Sequence, residues 1–436
     1  MFKKCSVAAF ALLSSMSGAA FAQTEIQWWH AMAGVNGERI VKLANDFNAS
    51  QKDYKVVPTF KGGYADTMNA GIAAFRAGGA PHILQVFEVG TATMMAAKGA
   101  IKPVHEMMKD AGEPFDPKSY LPSVTGYYSN AKGEMLSFPF NSSTVVMWVN
   151  KDALKKAGVD AIPATWPAVF EAGKKLKAAG YDKCGFSSSW ITWVNIENFS
   201  AWHNQPLATK ANGLDGFDTE LVFNKNATLV KHLGNLVELQ KDKTFDYSGK
   251  TNEGEGRFSS GECPIMLSSS GFYGSAKANA KFDFTAAPMP YYPDVAGAPQ
   301  NSIIGGASLW VMNGKPAAEY KGVAKFMSYL SSPEVQAWWS QETGYLPITQ
   351  AAYDFSKKQG FFEKVPLAEV SIKEMINKAP TENSRGLRLG NLVQMRDVWA
   401  DEIEQALTGK KSAQAALDAA AERGNQILRQ FERTAK

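Results

Sequence analysis

Residues 25–60, EIQWWHAMAGVNGERIVKLANDFNASQKDYKVVPTF, have the pattern of a strand, a helix and a second strand. Glu25–His30 and Tyr54–Phe60 are rich in aromatic and β-branched residues, which favour strands. Between them, apolar residues recur at helical spacing: Ile40, Leu43, Ala44 and Phe47. The stretch therefore predicts a β-α-β unit, which is the building block of an α/β sheet.

The same alternation continues beyond this unit. Tyr64–Ala77 has the pattern of a helix, His82–Phe87 that of a strand, and Gly90–Lys98 that of a helix built from small residues. These segments predict a first α/β lobe around a mostly parallel sheet that is covered on both faces.

A second series of elements begins after Pro139. A strand is predicted over Thr144–Asn150 and a helix over Trp166–Ala179, with further strands near Cys184 and Cys263. After a segment rich in Pro, Gly and Ala, the apolar strand Ala307–Met312 follows. The chain is therefore expected to cross between two lobes more than once, with residues 23–138 and 303–345 in the first lobe and residues 139–302 and 346–436 in the second.

Composition restricts the class of protein. The 436 residues are 45% hydrophobic and 20% charged, which is typical of a folded globular chain of more than one domain. The 46 basic and 42 acidic residues give a net charge of +4, and Lys and Arg form no basic block. A nucleic acid is therefore not an expected partner.

The first 22 residues have the features of a cleavable signal peptide. Lys3 and Lys4 are followed by the short apolar run Val7–Leu13 and by Ala20-Phe21-Ala22, which fits the small-residue cleavage motif. The apolar run is shorter than the ~20 residues that a bilayer span requires. We expect cleavage before Gln23 and export of the mature chain.

Two cysteines, Cys184 and Cys263, remain after this cleavage, which removes Cys5. Both precede similar strand-like runs, so they could lie at neighbouring positions of one sheet. An oxidising compartment would permit a disulfide between them, and two buried free thiols are the alternative.

The sequence contains none of the common catalytic signatures. It has no G-x-S-x-G, no H-E-x-x-H, no complete phosphate-binding loop at Gly249-Lys250-Thr251 and no C-x-x-C, and its five histidines lack metal-ligand spacing. Nothing specific in the sequence points to a carboxylate pair of the glycosidase type. We therefore expect a binding protein rather than an enzyme, without a metal or cofactor.

Eight uncommon runs extend over nearly the whole chain: Phe60–Tyr64, Gly71–Arg76, Phe87–Met95, Pro139–Ser143, Ile196–Trp202, Ile303–Met312, Thr343–Thr349 and Gly386–Asn391. Together they resemble the glycerol-phosphate receptors of ABC-type importers. These receptors form a branch of the periplasmic solute-binding family that includes the maltose-binding protein. The resemblance implies two α/β lobes that are joined by a hinge and close over a ligand in the cleft between them.

The resemblance also implies a function. It predicts a monomeric periplasmic receptor that binds sn-glycerol 3-phosphate, or glycerophosphodiesters such as glycerophosphocholine, and delivers the ligand to a membrane ABC permease. An oligosaccharide receptor of the same fold is one alternative, and a secreted hydrolase is the other. A buried arginine accompanied by neutral donors would favour the phosphate ligand, because a neutral sugar does not need a buried cation.

Matched position by position, the resemblance implies that Arg396 binds the phosphate, since a guanidinium forms paired hydrogen bonds to such anions. Neutral donors would complete the phosphate site: Tyr64, Ser143, Ser269, Tyr345 and the backbone N–H of Gly306. Taken without the resemblance, Arg396 beside Asp397 is typical of a surface ion pair, and the two serines are typical of capping hydroxyls. The register of Ser269 within the run 268–270 stays open.

Three further residues are assigned to the glycerol end of the ligand. Glu88 is expected to accept hydrogen bonds from hydroxyl groups away from the phosphate, and a charge near a helix N-terminus at Gly90 is the alternative. Trp190 and Trp193 are expected to cover the C–H groups of glycerol, with a plain core role as the alternative.

Overall fold

The computed structural model describes residues 23–435, so the predicted signal peptide lies outside the described residues. The strands are β1 (Thr24–His30), β2 (Tyr54–Phe60), β3 (Ile83–Phe87), β4 (Phe138–Ser143), β5 (Val145–Asn150), β6 (Ser187–Ser188), β7 (Ile265–Ser269), β8 (Phe284–Pro288) and β9 (Gly305–Val311). In the part of the chain that is described, no helix is long and apolar enough to cross a membrane.

Helices alternate with these strands and contain far more residues than the strands do. They are α1 (Gly34–Ser50), α2 (Tyr64–Arg76), α3 (Thr91–Ala96), α4 (Val104–Ala111), α5 (Pro122–Tyr128), α6 (Lys151–Lys156), α7 (Trp166–Ala178), α8 (Phe199–Trp202), α9 (Thr209–Asn212), α10 (Ala227–Lys241), α11 (Glu253–Ser259), α12 (Tyr273–Asn279), α13 (Ala317–Leu330), α14 (Pro333–Thr343), α15 (Gln350–Lys358), α16 (Phe361–Lys364), α17 (Val370–Met375), α18 (Leu392–Leu407) and α19 (Ala413–Ala435).

The first lobe is built on a five-stranded sheet in the order β2-β1-β3-β9-β4. The predicted β-α-β unit is present, with β1 parallel to both β2 and β3. Four of the five strands run in the same direction, as expected for a mostly parallel sheet, and β9 is the exception because it runs antiparallel to both β3 and β4. The reason is connectivity: β9 enters this sheet from the second lobe, and not through a helical crossover of the first.

The second lobe contains a four-stranded sheet in the order β6-β7-β5-β8. Strand β5 is antiparallel to both of its neighbours, and β6 pairs in parallel with β7. Cys184 and Cys263 precede the paired strands β6 and β7, are fully buried and form a disulfide in the structure. The disulfide therefore links the two chain segments that lead into this pair of strands.

The lobe boundaries differ from those expected at two places. Strand β4 belongs to the first sheet, so the chain passes into the second lobe at Thr144 instead of residue 139, and Ser143 lies on the first sheet. Leu346 and Ile348 pack into the core of the first lobe, and Thr349 bridges to Tyr120. The chain therefore stays with the first lobe beyond residue 345, because these side chains complete that apolar core.

A buried carboxyl group lies where the chain returns from β8 to β9. Glu374 on α17 accepts hydrogen bonds from the backbone N–H of Met289 at 2.7 Å and from the hydroxyl of Ser302 at 3.4 Å. Its own carbonyl accepts the Ser302 N–H at 3.2 Å. Burial raises the pKa of Glu374 to about 8, although these hydrogen bonds oppose the shift. Glu374, as a largely neutral acid, thus forms hydrogen bonds to both ends of the segment that connects β8 to β9, at Met289 and at Ser302.

Replacing Glu374 by Gln should stabilise the protein increasingly as the pH rises. Because the folded-state pKa is raised, the stability contributed by Glu374 is complete below its unfolded pKa of about 4.5 and declines as the pH rises through about 8. Glutamine keeps the shape but has no charge to bury. Urea unfolding should show that the free energy of unfolding of the variant, relative to that of the native protein, is higher at pH 8 than at pH 5. For the exposed Glu363→Gln control this difference should be the same at both pH values. An equal difference at both pH values would contradict this assignment.

Candidate functional site

A cleft of about 460 Å³ lies between the two lobes. The side chains that line it come from the ends of both sheets and from the helices that follow them. All nine residues predicted from the sequence line this cleft: Tyr64, Glu88, Ser143, Trp190, Trp193, Ser269, Gly306, Tyr345 and Arg396. Residues as distant in sequence as 64 and 396 are therefore brought to one place.

The chain segment that crosses from the first sheet to the second organises one wall of this cleft. Ser142 pairs with Gly306 across the first sheet, and its carbonyl accepts the Leu346 N–H at 2.8 Å. Two residues later, the Thr144 carbonyl accepts the Ser270 N–H at 2.9 Å. These backbone contacts hold the segments that carry Ser143, Ser269, Tyr345 and Gly306. With Tyr64 at the start of α2, the neutral donors form what we call the donor wall: Tyr64, Ser143, Ser269, Tyr345 and the N–H of Gly306.

Only glycine fits at position 306, because the backbone of β4 passes directly over it. A Cβ atom there would lie 1.8 Å from the carbonyl oxygen of Asn141, and the φ angle of +89° is unfavourable for any other residue. The glycine therefore leaves a length of bare backbone at the edge of the cleft.

The serine run at 268–270 separates into three roles. Ser269 lines the cleft, and its hydroxyl accepts the Gly271 N–H at 3.0 Å. Ser268 donates to the carboxylate of Glu255 at 2.7 Å, and the Ser270 hydroxyl accepts the Thr144 N–H at 3.4 Å. Ser269 is thus the cleft-lining member of the run, and it also makes the local capping contact.

Two stacked aromatic pairs hold the tyrosines of the donor wall. Tyr64 lies parallel to Phe87 with 5.3 Å between ring centroids, and Tyr345 lies parallel to Trp339 at 5.8 Å. The Tyr64 hydroxyl accepts a hydrogen bond of 2.9 Å from the side-chain amide of Asn141. Burial raises the pKa of Tyr345 to about 12 and that of Tyr64 well above its ordinary value, so both phenols stay protonated and able to donate.

Opposite charges meet elsewhere in the cleft, in what we call the arginine cluster: Arg396, Glu197 and Glu88. Arg396 donates to both carboxylate oxygens of Glu197 at 2.7 Å and to Glu88 at 2.6 Å. Both glutamates are buried, with 1% and 5% of their surface exposed. The Arg396 side chain is only partly exposed, and its ion pairs in the described residues are with Glu197 and Glu88 and not with Asp397.

The expected separation of Glu88 from Arg396 is wrong. Glu88 follows β3 on the first lobe, yet its carboxylate reaches Arg396 on α18. Glu197 carries no assignment from the sequence. It lies within the π-helix Trp193–Asn198, an uncommon element that often accompanies functional sites, and it is a lone carboxylate in an otherwise uncharged run. A single glutamate in a long uncharged run indicates a buried charge, and this was the sequence signal that could have identified Glu197 as a site residue.

The arginine cluster has more negative than positive charge when all three groups are ionised. Burial raises the pKa of Glu88, and Arg396 opposes this rise. Burial also acts to lower the pKa of Arg396, but Glu197 and Glu88 hold it well above its ordinary value. In the described part of the chain, Nη1 of Arg396 has no hydrogen-bond partner. The cluster can accept hydrogen bonds at its carboxylates and donate from the two N–H groups of Nη1, which suits hydroxyl groups.

Two tryptophans form an apolar wall of the cleft. Trp190 has a φ angle of +51°, which is a strained conformation for a bulky residue, and its N–H donates to the Thr251 carbonyl at 2.6 Å. Its ring centroid lies 6.4 Å from that of Tyr64. Trp193 is 4% exposed and packs directly over Gly305.

Among the described residues, no group of three or more His, Cys, Asp or Glu side chains is placed to hold a metal ion.

Comparison with known proteins identifies the family. Residues 42–368 match the family model for bacterial extracellular solute-binding proteins. The chain belongs to this family. The fold expected from the eight sequence runs and the resemblance itself are therefore confirmed.

Curated relatives of this solute-binding protein match along nearly its whole length. An sn-glycerol-3-phosphate-binding periplasmic protein UgpB from Pectobacterium atrosepticum is 53% identical over 98% of this chain and 96% of its own. The protein of that name from Escherichia coli is 51% identical over 98% of each chain.

Solved structures share the fold at lower identity. UgpB from Mycobacterium tuberculosis, in complex with glycerophosphocholine, superposes with a TM-score of 0.78 at 19% identity, covering 94% of this chain and 99% of that one. A cyclic alpha-maltosyl-1,6-maltose binding protein from Arthrobacter globiformis gives 0.71 at 22% identity, covering 93% and 99%. Receptors for different ligands thus share this two-lobed architecture.

Gly306→Ala should destabilise the solute-binding protein much more than Gly314→Ala. Both glycines have φ near +90°, so each alanine meets a similar backbone penalty of about 1 kcal/mol. At Gly306 the new methyl group also meets the Asn141 carbonyl, whereas no atom lies within 4 Å at Gly314. Denaturant midpoints should therefore fall further for Gly306→Ala. Equal midpoints for the two variants would contradict the close approach of β4.

Proposed function

We propose that this solute-binding protein captures sn-glycerol 3-phosphate in the periplasm and delivers it to a membrane ABC permease. The relatives that are more than half identical to it carry that ligand in their names. The observation that carries the proposal is the pairing, in one cleft, of a neutral donor wall with a carboxylate-rich arginine cluster. This pairing fits a ligand that is anionic at one end and hydroxylated at the other.

The phosphate binds the donor wall in this proposal. A phosphate monoester is close to dianionic at pH 7, and the excess negative charge of the arginine cluster would repel it. The hydroxyls of Ser143, Ser269, Tyr64 and Tyr345 and the N–H of Gly306 supply hydrogen bonds without a charge of their own. Arg396 is thus assigned to the glycerol end, and not to the phosphate as its residue type suggested.

The glycerol hydroxyls bind the arginine cluster. One hydroxyl donates to Glu88 and accepts from Nη1 of Arg396, which has no hydrogen-bond partner within residues 23–435. Trp190 and Trp193 cover the C–H groups and exclude water, which strengthens the polar contacts. Because the donors come from both lobes, the ligand favours the closed arrangement.

The same proposal includes the location and state of the mature protein. Residues 1–22 direct export and are removed before Gln23, and the receptor acts as a monomer that meets the permease only transiently. Its relatives are named as binding proteins, so its task is capture and transfer, with no change to the ligand.

Titration calorimetry should give tight binding of sn-glycerol 3-phosphate and much weaker binding of inorganic phosphate, glycerol and maltose. Only the first of these ligands satisfies both the donor wall and the arginine cluster. A preference for maltose would replace the proposal by an oligosaccharide receptor. Turnover of a chromogenic phosphate ester would replace it by a hydrolase.

Removing the charge of Arg396 should weaken glycerol 3-phosphate binding strongly. Arg396→Ala leaves Glu88 and Glu197 buried without a cation, and we expect a loss of roughly 2–5 kcal/mol of binding free energy. Arg396→Lys should restore little of the lost affinity, since an ammonium group cannot donate to both carboxylates in a planar arrangement. Glu88→Gln should lose less binding free energy than Arg396→Ala, and it should raise the affinity for inorganic phosphate relative to that for glycerol 3-phosphate.

The exposed Arg76→Ala variant serves as the matched control, because it removes the same charge away from the cleft. Circular dichroism checks that each variant is folded. Full affinity in a folded Arg396→Ala variant would rule out the arginine cluster as part of the site.

A further inference from the structure

Two buried side-chain amides lie behind the donor wall, and we call them the amide relay: Gln85 on β3 and Asn141 on β4. Both are fully buried, and neither is among the described residues that line the cleft. Gln85 Nε2 donates to Asn141 Oδ1 at 2.8 Å, and Asn141 Nδ2 donates to the Tyr64 hydroxyl at 2.9 Å. The amide relay therefore connects the interior of the first sheet to one phenol of the donor wall.

A backbone group fixes the direction of these hydrogen bonds. The Ala31 N–H donates to Gln85 Oε1 at 2.8 Å, and a backbone N–H can only donate. The oxygen of Gln85 therefore faces Ala31, so its Nε2 faces Asn141, and the Nδ2 of Asn141 in turn faces Tyr64. Reversing either amide alone would set two donors against each other, which is costly at a buried position.

A β-bulge in β4 brings the two amides to one face of the first sheet. Strand β4 pairs with β9 on both sides of Phe140, which is an extra residue between Pro139 and Asn141. Side chains of a regular strand alternate between the two faces, and the extra residue moves Asn141 to the face that carries Gln85. Bulges of this kind re-aim a side chain and are frequent beside functional sites.

The hydrogen bond from Asn141 determines what the Tyr64 hydroxyl can do. It occupies an acceptor position of the phenol oxygen, so the phenol proton is directed elsewhere. In the structure this hydroxyl donates to the thioether sulfur of Met32 at 3.7 Å, and such a sulfur is a weak acceptor. A ligand oxygen can replace the sulfur without the loss of a strong hydrogen bond.

We propose that Asn141 is a positioning residue of the binding site: with Gln85 behind it, Asn141 directs the proton of the Tyr64 phenol into the cleft, toward an oxygen of the ligand. This inference rests on the proposed function, because it takes the phosphate to lie on the donor wall. An ionised phosphate oxygen only accepts hydrogen bonds, so a phenol that is fixed as a donor matches it. The amide relay thereby sets the direction of hydrogen bonding in the donor wall.

Asn141→Asp tests the amide relay with almost no change of shape. An ionised carboxylate at this position accepts the Tyr64 proton, which is thereby withdrawn from the ligand. Calorimetry at pH 9 should show a loss of roughly tenfold to a hundredfold in affinity for sn-glycerol 3-phosphate, the range expected for one hydrogen bond to a charged group. The exposed Asn69→Asp control on α2 should retain the native affinity.

The pH dependence of this loss distinguishes positioning from a structural role. A neutral carboxyl group can donate to Tyr64 and accept from Gln85, as the native amide does. Burial and the nearby Glu88 favour the neutral form, and His30 on the adjacent strand β1 is uncharged because burial lowers its pKa to about 4. The variant should therefore approach the native affinity at pH 5 and fall away from it as the pH rises to 9. The native protein, measured at each pH, corrects for titration of the phosphate.

Gln85→Met is a second variant, because it is neutral, similar in size and outside the cleft. It leaves Asn141 able to turn its oxygen toward Tyr64, so it should weaken binding, though less than Asn141→Asp does at pH 9. In a Tyr64→Phe background both substitutions should have little further effect on affinity, because the amide relay acts through the Tyr64 hydroxyl. Circular dichroism checks that each variant is folded, and if Asn141→Asp does not fold, the Gln85→Met comparison decides.

The outcomes separate this inference from the proposed function. If the native protein binds sn-glycerol 3-phosphate and the folded variants bind it equally well at every pH, the positioning role is overturned and the proposed function stands. Losses that persist undiminished in the Tyr64→Phe background, or an Asn141→Asp loss that is the same at every pH, would also overturn it, because a structural role has that effect. If the native protein does not bind sn-glycerol 3-phosphate, the proposed function itself fails.

Discussion

The backbone crossing at Ser142–Thr144 is the constraint on which the cleft depends. Strand β4 of the first sheet ends here and β5 of the second sheet begins after Thr144, so the ends of both sheets are held within a few residues of each other. Hydrogen bonds to Ser270 and Leu346 attach the segments that carry Ser269 and Tyr345 to the same point. The donors are thus positioned by main-chain geometry, and the close approach at Gly306 is a cost of that arrangement.

Charge is distributed unevenly over this frame. The donor wall is neutral, with phenols that burial keeps protonated, whereas the arginine cluster combines one guanidinium with two carboxylates. A buried ion pair of this kind contributes little net stability, because desolvation offsets the attraction. Its value lies in orientation, since a fixed pattern of donors and acceptors distinguishes the two ends of a polar ligand.

Much of the fold and most of the cleft residues could be predicted from the sequence, and the features that were missed were missed for physical reasons. Periodicity located the β-α-β unit at residues 25–60, and the short runs placed nine residues in one cleft. The antiparallel course of β9 was missed because periodicity shows a strand but not its direction. The pairing of Arg396 with Glu197 joins residues 199 positions apart, and no local pattern reports it.

The pairing of Glu88 with Arg396 also has a consequence for the opening of the cleft. One group belongs to the first lobe and the other to α18 of the second, so opening the cleft pulls a buried ion pair apart. Water must enter to solvate both charges before the lobes separate, which places a barrier on the opening step. Separating these two charges is therefore part of the free-energy cost of opening the cleft.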